Sequence, residues 1–252
     1  MFEPRIYKER RRRLLRAAGP GLGLFLGNEE SPMNYPENTF RFRQDSTFLY
    51  YFGLDRPGLA AVMDFDEGTA TVYGDDYTVD DIVWRGPQPA IREMSRRAGV
   101  DRTGTADELA GRLKDARRAG RRIHFLPPYR AENALKLKRW LGLNPDRAAA
   151  AASVDLIRAV VEQRAVKGPE EIAEPDRAAD ISTDMHVAAM RVGRPGVAAR
   201  ESAAEVPRAA LAARWSVRHG RASLPGWRPS PLIALTWWIG LTVVGLVRTF
   251  GG

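Results

Sequence analysis

The chain has 252 residues, enough for one large domain or two modest ones, each with a real core. Its 44% hydrophobic and 28% charged residues describe a globular protein and exclude a disordered one. No cysteine is present, which excludes disulfides, thiolate nucleophiles and thiolate metal sites and suits a reducing compartment. The formal charge of +8 is spread along the chain, so an arginine-rich background explains it better than a nucleic-acid partner does.

From the N-terminus, "KERRRRLLRAAG" is charged enough to open a signal peptide, but the following "LGLFLG" is too short and glycine-rich for the apolar stretch required. The expected location is therefore the cytoplasm. Residues 4–18 have helical character, with Ile6, Tyr7, Leu14, Leu15 and Ala18 on an apolar face. The run Arg10 to Arg13 then reads as mostly solvated. "GLGLFLGN" predicts a short buried strand. Its glycines follow a helix and lie inside the strand, the wrong context for a phosphate loop.

Residues 40–53, "FRFRQDSTFLYYFG", carry six aromatic residues around a polar wedge of Arg43, Gln44, Asp45 and Ser46. The pattern requires polar groups held at a fixed place beside an apolar wall. Phe42, Phe48, Tyr51 and Phe52 are expected to pack inward. Arg43 and Asp45 should meet partners nearby, and Ser46 or Asp45 should cap the turn that follows.

"GLAAVMDFDEGTATVYGDD" reads as two strands turning at Asp66-Glu67-Gly68. Helices are expected over 88–98 and 105–118, a strand in "RRIHFLPP" and a helix in "ENALKLKRWLGL". Alternating strands and helices predict an α/β domain with a mixed sheet flanked by helices, over residues 1–150. Residues 151–213 follow as helices. One covers 153–165 and one starts at Pro169, a favourable first helical position, with Glu170, Glu171 and Glu174 suiting the dipole there. Pro175 and Pro207 interrupt the later helical patterns.

Residues 214–252 change character. Leu232 to Val247 is a run of 16 uncharged residues between Pro231 and Arg248. Counted from Pro229 it approaches the ~20 residues of a spanning helix, so a C-terminal membrane anchor is the alternative to a cytoplasmic chain.

Chemical motifs are sparse. His124 reads as a structural strand residue, and His219 lies in the tail without a visible partner. Asp180, Asp184 and His186 suggest a metal, but residues two apart on a helix point about 200° from each other. Asp184 and His186 therefore cannot share an ion. No nucleophile elbow and no His-Glu-x-x-His motif is present, so no catalytic residue is assigned from the residues alone.

Four segments in order, "NTFRFRQDSTFLYYFGLDRPG", "DDIVWRG", "EQRAVKGPEEIAE" and "AADISTDMHVAAMRVGRPG", resemble aminopeptidase P, the Xaa-Pro aminopeptidases, over about residues 4–205. The resemblance implies a creatinase/prolidase-like N-terminal α/β domain leading into a "pita-bread" catalytic domain that releases the residue preceding proline. It implies two Mn²⁺ ions in the complete enzyme, held by two Asp, one His and two Glu. Homo-oligomers and peptide substrates are likewise implied for the complete enzyme, and nucleic acid is not. Those ligands belong to the downstream core, and no residue here matches one, so neither a metal site nor a cofactor is expected in this chain.

The same resemblance gives Trp84 as a substrate-gating residue, on a loop that closes over an active site, often a neighbouring subunit's. A local surface anchor is the other reading of Trp84. Arg43, Gln44, Asp45 and Ser46 become a structural signature. Two functional classes follow: a metallo-aminopeptidase cut short before its metal ligands and inactive alone, or a tail-anchored, non-catalytic assembly module. The tail itself reads as either a frame-shifted end or a true anchor. A third and weaker class is nucleic-acid binding through Arg10 to Arg13 and Arg117, Arg118, Arg121 and Arg122.

Overall fold

The computed structural model describes residues 2–36, 38–194 and 196–213. Two compact units are formed, one ending at Lys167 and the other starting at Gly168.

The first unit opens with helix α1 (Pro4–Ala17) and strand β1 (Leu22–Leu26). Helix α2 (Ser46–Phe52) follows, then the hairpin of β2 (Ala60–Asp64) and β3 (Thr69–Tyr73). Next come α3 (Val79–Arg85), α4 (Ile91–Arg97), β4 (Arg102–Gly104) and α5 (Ala106–Arg118). The unit closes with β5 (Ile123–Phe125), α6 (Ala131–Leu141), α7 (Pro145–Ala148) and α8 (Val154–Ala165). The sheet order is β4-β3-β2-β1-β5. The central strand β2 runs antiparallel to β1 and β3, while the edges β5 and β4 run parallel to β1 and β3. This is the mixed sheet flanked by helices that the alternation predicts.

Side-chain alternation along the strands divides the core into two layers. Ala61, Met63, Phe25 and Val72 face one side with Leu14, the α2 aromatics and Leu156, Ala159 and Val160 of α8. Ala60, Val62, Leu22, Leu24 and Tyr73 face the other, against Leu109 and Leu113 of α5 and Leu137 and Leu141 of α6. Both faces of β2 are thus covered, and all five of its residues are buried. Helix α8, which the sequence reading groups with the later helices, therefore packs into the first unit's core.

His124 is buried on β5. Its Nδ1 lies 2.7 Å from the Ser153 hydroxyl and its Nε2 3.0 Å from the Pro20 carbonyl, which ties the start of α8 to the sheet. A second tie is ionic. Asp64 at the end of β2 receives both Arg112 and Arg121. Burial alone would raise its carboxyl, but the Arg121 guanidinium and neighbouring donors outweigh that and hold it below the usual carboxylate range.

The solvated reading of the arginine run is corrected for two of its members. Arg10 and Arg11 are buried, at 6% and 5% exposure, whereas Arg12 and Arg13 face solvent. Arg10 donates to the Tyr50 carbonyl (2.9 Å) and lies 4.0 Å from the centre of the Tyr50 ring. Arg11 donates to the carbonyls of Tyr51 (2.7 Å), Ala98 (2.9 Å) and Gly99 (2.8 Å). These carbonyls belong to α2 and to the turn after α4, so the two guanidinium groups fasten α1 to both. Burial lowers the Arg11 pKa to about 10, the electrostatic cost of this fastening.

In the second unit, α9 (Pro169–Val192) runs through Pro175 and α10 (Ala199–Ala212) through Pro207, and the two helices pack on each other. Among the described residues no helix is long and apolar enough to cross a membrane. The segment Leu232 to Val247 and His219 lie outside the described residues.

Candidate functional site

The aromatic segment folds as the sheet-facing helix α2, not as a bend alone. Asp45 ends the extended stretch, and its carboxylate accepts from the backbone N–H groups of Thr47 (2.9 Å) and Phe48 (2.8 Å). That cap fixes where the helix starts. Phe48, Tyr51 and Phe52 are fully buried, and burying each ring contributes roughly 1.5–3 kcal/mol. Phe25 of β1 meets Tyr51 and Phe52 at ring-centre distances of 5.5 and 5.7 Å. Gly53 closes the helix in the left-handed region at φ 65°, and a Cβ there would fall 2.3 Å from the Tyr7 ring. Only glycine meets both demands.

The polar wedge is divided between inside and outside. Gln44 is buried at 2% exposure, Asp45 is half-buried, and Arg43 and Ser46 are exposed. The Gln44 carbonyl oxygen accepts from the N–H groups of Asn28 (2.7 Å) and Asp45 (2.9 Å), and its amide donates to the Arg56 carbonyl (2.7 Å). Arg43 engages through its backbone, whose carbonyl accepts from the Asn28 side chain at 2.9 Å. Asn28 also donates to the Tyr129 hydroxyl at 2.9 Å and receives Asn133 at 3.3 Å. One buried asparagine thereby joins the ends of the neighbouring parallel strands β1 and β5. Sequence reasoning missed Asn28, because a lone Asn after a strand has the signature of any turn.

From Gln44 the network passes to Arg56 and on to α3. Arg56 is 6% exposed; it donates to the Asp75 carbonyl at 2.6 Å and its Cζ lies 3.9 Å from the Tyr77 ring centre. Asp76 lies 3.9 Å from its Nη1 and also accepts the Ile91 N–H at 2.7 Å. Residues 77–90 thus leave and rejoin the fold at one point. Within that arm α3 is capped reciprocally: the Asp81 carboxylate accepts from the Thr78 N–H (2.9 Å), and Thr78 Oγ1 from the Asp81 N–H (3.3 Å). The helix exposes Val79 (77%), Val83 (72%) and Ile82 (38%), apolar groups that a folded chain ordinarily turns inward. The backbone of Trp84 is on this helix, and its side chain lies outside the described residues.

No metal centre is built from these parts. Asp180, Asp184 and His186 sit on α9, with Asp180, Asp184 and Met190 facing solvent and His186 Nδ1 hydrogen-bonded to the Ser182 carbonyl. Among the described residues, no three of His, Asp and Glu are grouped so as to hold an ion. The donor set among the described residues does not fit the dinuclear site of the resembled enzymes.

Residues 7–124, which contain the α2 signature, its Gln44 network and the α3 arm, match the family described as aminopeptidase P, N-terminal domain. Over these residues the chain is similar to an aminopeptidase P N-terminal domain.

A probable Xaa-Pro aminopeptidase of Aspergillus fumigatus is 26% identical over 163 residues, covering 64% of this chain and 33% of the relative. The Xaa-Pro aminopeptidase of Escherichia coli is 24% identical over 201 residues, covering 76% of this chain and 45% of the relative. The chain thus matches a third to under half of those relatives' lengths. Among solved structures, the low-pH form of E. coli aminopeptidase P superposes with a TM-score of 0.71 at 21% identity, over 84% of this chain and 50% of that one. A zinc-substituted form of the same enzyme, in complex with product, superposes similarly. At this identity the likeness establishes the fold. It covers more of the chain than residues 7–124, so the likeness in fold is not confined to the segment that matches the family.

Proposed function

We propose that this chain serves Xaa-Pro aminopeptidase activity as the gating and assembly part of the enzyme and performs no hydrolysis by itself. The observation that carries the reading is the α3 arm: a doubly capped helix on a fixed root, holding Val79, Ile82 and Val83 in solvent. Apolar groups presented in this way suit an edge that closes on a neighbouring surface, and in this reading that surface is the peptide site of a second subunit. Trp84 is the gating residue in this reading. Arg43, Gln44, Asp45 and Ser46 hold the scaffold and touch no substrate.

The complete enzyme's metal pair, Mn²⁺ by family resemblance, would activate water for attack on the bond before proline. No step is assigned to this chain's residues, because among the described residues no donors gather around an ion. An N-terminal part that runs through α8 to residue 167, a helical part that follows it, and a divergent tail from residue 214 complete the proposed organisation.

Contact between copies is testable because the chain has no native cysteine. Val83→Cys, labelled with a photo-crosslinker, is expected to yield a covalent dimer through α3. A strictly monomeric product across the accessible concentration range would overturn the assembly role.

A further inference from the structure

We infer that Arg56 is a positioning residue for the α3 arm. The inference rests on the gating reading of that arm and deepens it.

The geometry is specific. One guanidinium reaches three successive residues: it donates to the Asp75 carbonyl at 2.6 Å, lies 3.9 Å from an Asp76 carboxylate oxygen and stacks 3.9 Å from the Tyr77 ring centre. These three lead directly into Thr78, the cap of α3. Asp76 simultaneously accepts the Ile91 N–H at 2.7 Å, so the entry and exit of the arm share one anchor. The carbonyl of Arg56 is in turn held by the buried Gln44 amide at 2.7 Å. Core, guanidinium and arm form a continuous polar path.

Global stability is a poor explanation for this arginine. It is 94% buried (6% exposed), yet its Nε and Nη1 have no hydrogen-bond partner among the described residues. A buried cation so incompletely bonded costs more than an apolar side chain of the same size, and replacing such groups by apolar residues is often neutral or stabilising. A planar fork that bonds on one edge and stacks on its face does something an apolar group cannot: it fixes the direction in which a chain segment departs. Asp76 is largely solvated, at 60% side-chain exposure, so removing Arg56 strands no buried charge.

The test uses the full chain with single cysteines. Nitroxide labels at Val83→Cys on α3 and, as control, at Lys114→Cys on α5 report local motion, and hydrogen exchange reports the amides of residues 79–83. In Arg56→Met, the label at 83 should become mobile and those amides should exchange about tenfold faster, with the label at 114 unmoved and the thermal midpoint nearly unchanged. Arg56→Lys keeps the charge without the fork and should leave the arm as loose as Arg56→Met does.

An arm that stays ordered in Arg56→Met, or is restored by lysine, overturns the positioning role. A general loss of order at both labels overturns it too, because Arg56 would then be an ordinary core residue. Failure of the gating reading looks different: the arm loosens as described, while crosslinking at position 83 finds no second copy.

Discussion

The side-chain amide of Gln44 donates to the backbone carbonyl of Arg56 across 2.7 Å, while its own oxygen accepts the N–H of Asn28 at 2.7 Å. A single buried side chain therefore bonds the loop after β1 to the loop that roots α3. Gln44→Leu keeps the volume and leaves these backbone groups without partners, at a cost of about 3 kcal/mol. Urea unfolding should show the loss as a lower midpoint at an unchanged slope.

The cap beneath the signature gives a smaller effect. Asp45→Ala removes the acceptor for the Thr47 and Phe48 N–H groups, and about 1 kcal/mol of stability should go with it. Asp45→Asn should retain most of it. Thermal unfolding of the two variants side by side checks the order.

Within the arginine run, neighbours should behave oppositely. Arg11→Ala removes a charged fork from three carbonyls and should cost about 3 kcal/mol, with no rescue by lysine. Arg12, exposed and paired with Glu9, should change stability by at most about 0.5 kcal/mol when replaced by alanine. Equal effects at both positions would contradict the burial described.

This run also shows where sequence reading stopped. The helix over α1, the hairpin at Asp66-Glu67-Gly68 and the helices α5, α6 and α8 were legible because their apolar spacing and turn residues agree with one period each. The α2 aromatics announced burial, yet six rings in fourteen residues obscured the short helix that Asp45 starts. Arg10 and Arg11 looked solvated because charge pattern records what a side chain carries, not which carbonyls await it. Those carbonyls come from residues 50, 51, 98 and 99, and such long-range partners leave no local mark. Arg56 and Asn28 were silent for the same reason, and β4, with three residues, is too short to show a period.

Acid should weaken the first unit through Asp64. The folded carboxyl titrates below its unfolded value, so its bridge to Arg121 and Arg112 contributes fully above the ordinary carboxylate range. That contribution is lost as pH falls through the lowered value. Asp64→Asn should be less stable near neutrality by about 3 kcal/mol and should show a flatter acid limb. A wild-type acid limb in the variant would remove Asp64 from this role.

The most direct measurement is turnover. Purified chain is incubated with Mn²⁺ and a peptide whose second residue is proline, and release of the first residue is followed against a metal-only control. No release above the control is expected at any metal concentration. Chelator-sensitive release that scales with the amount of chain would contradict it, and would place a working metal site in this protein.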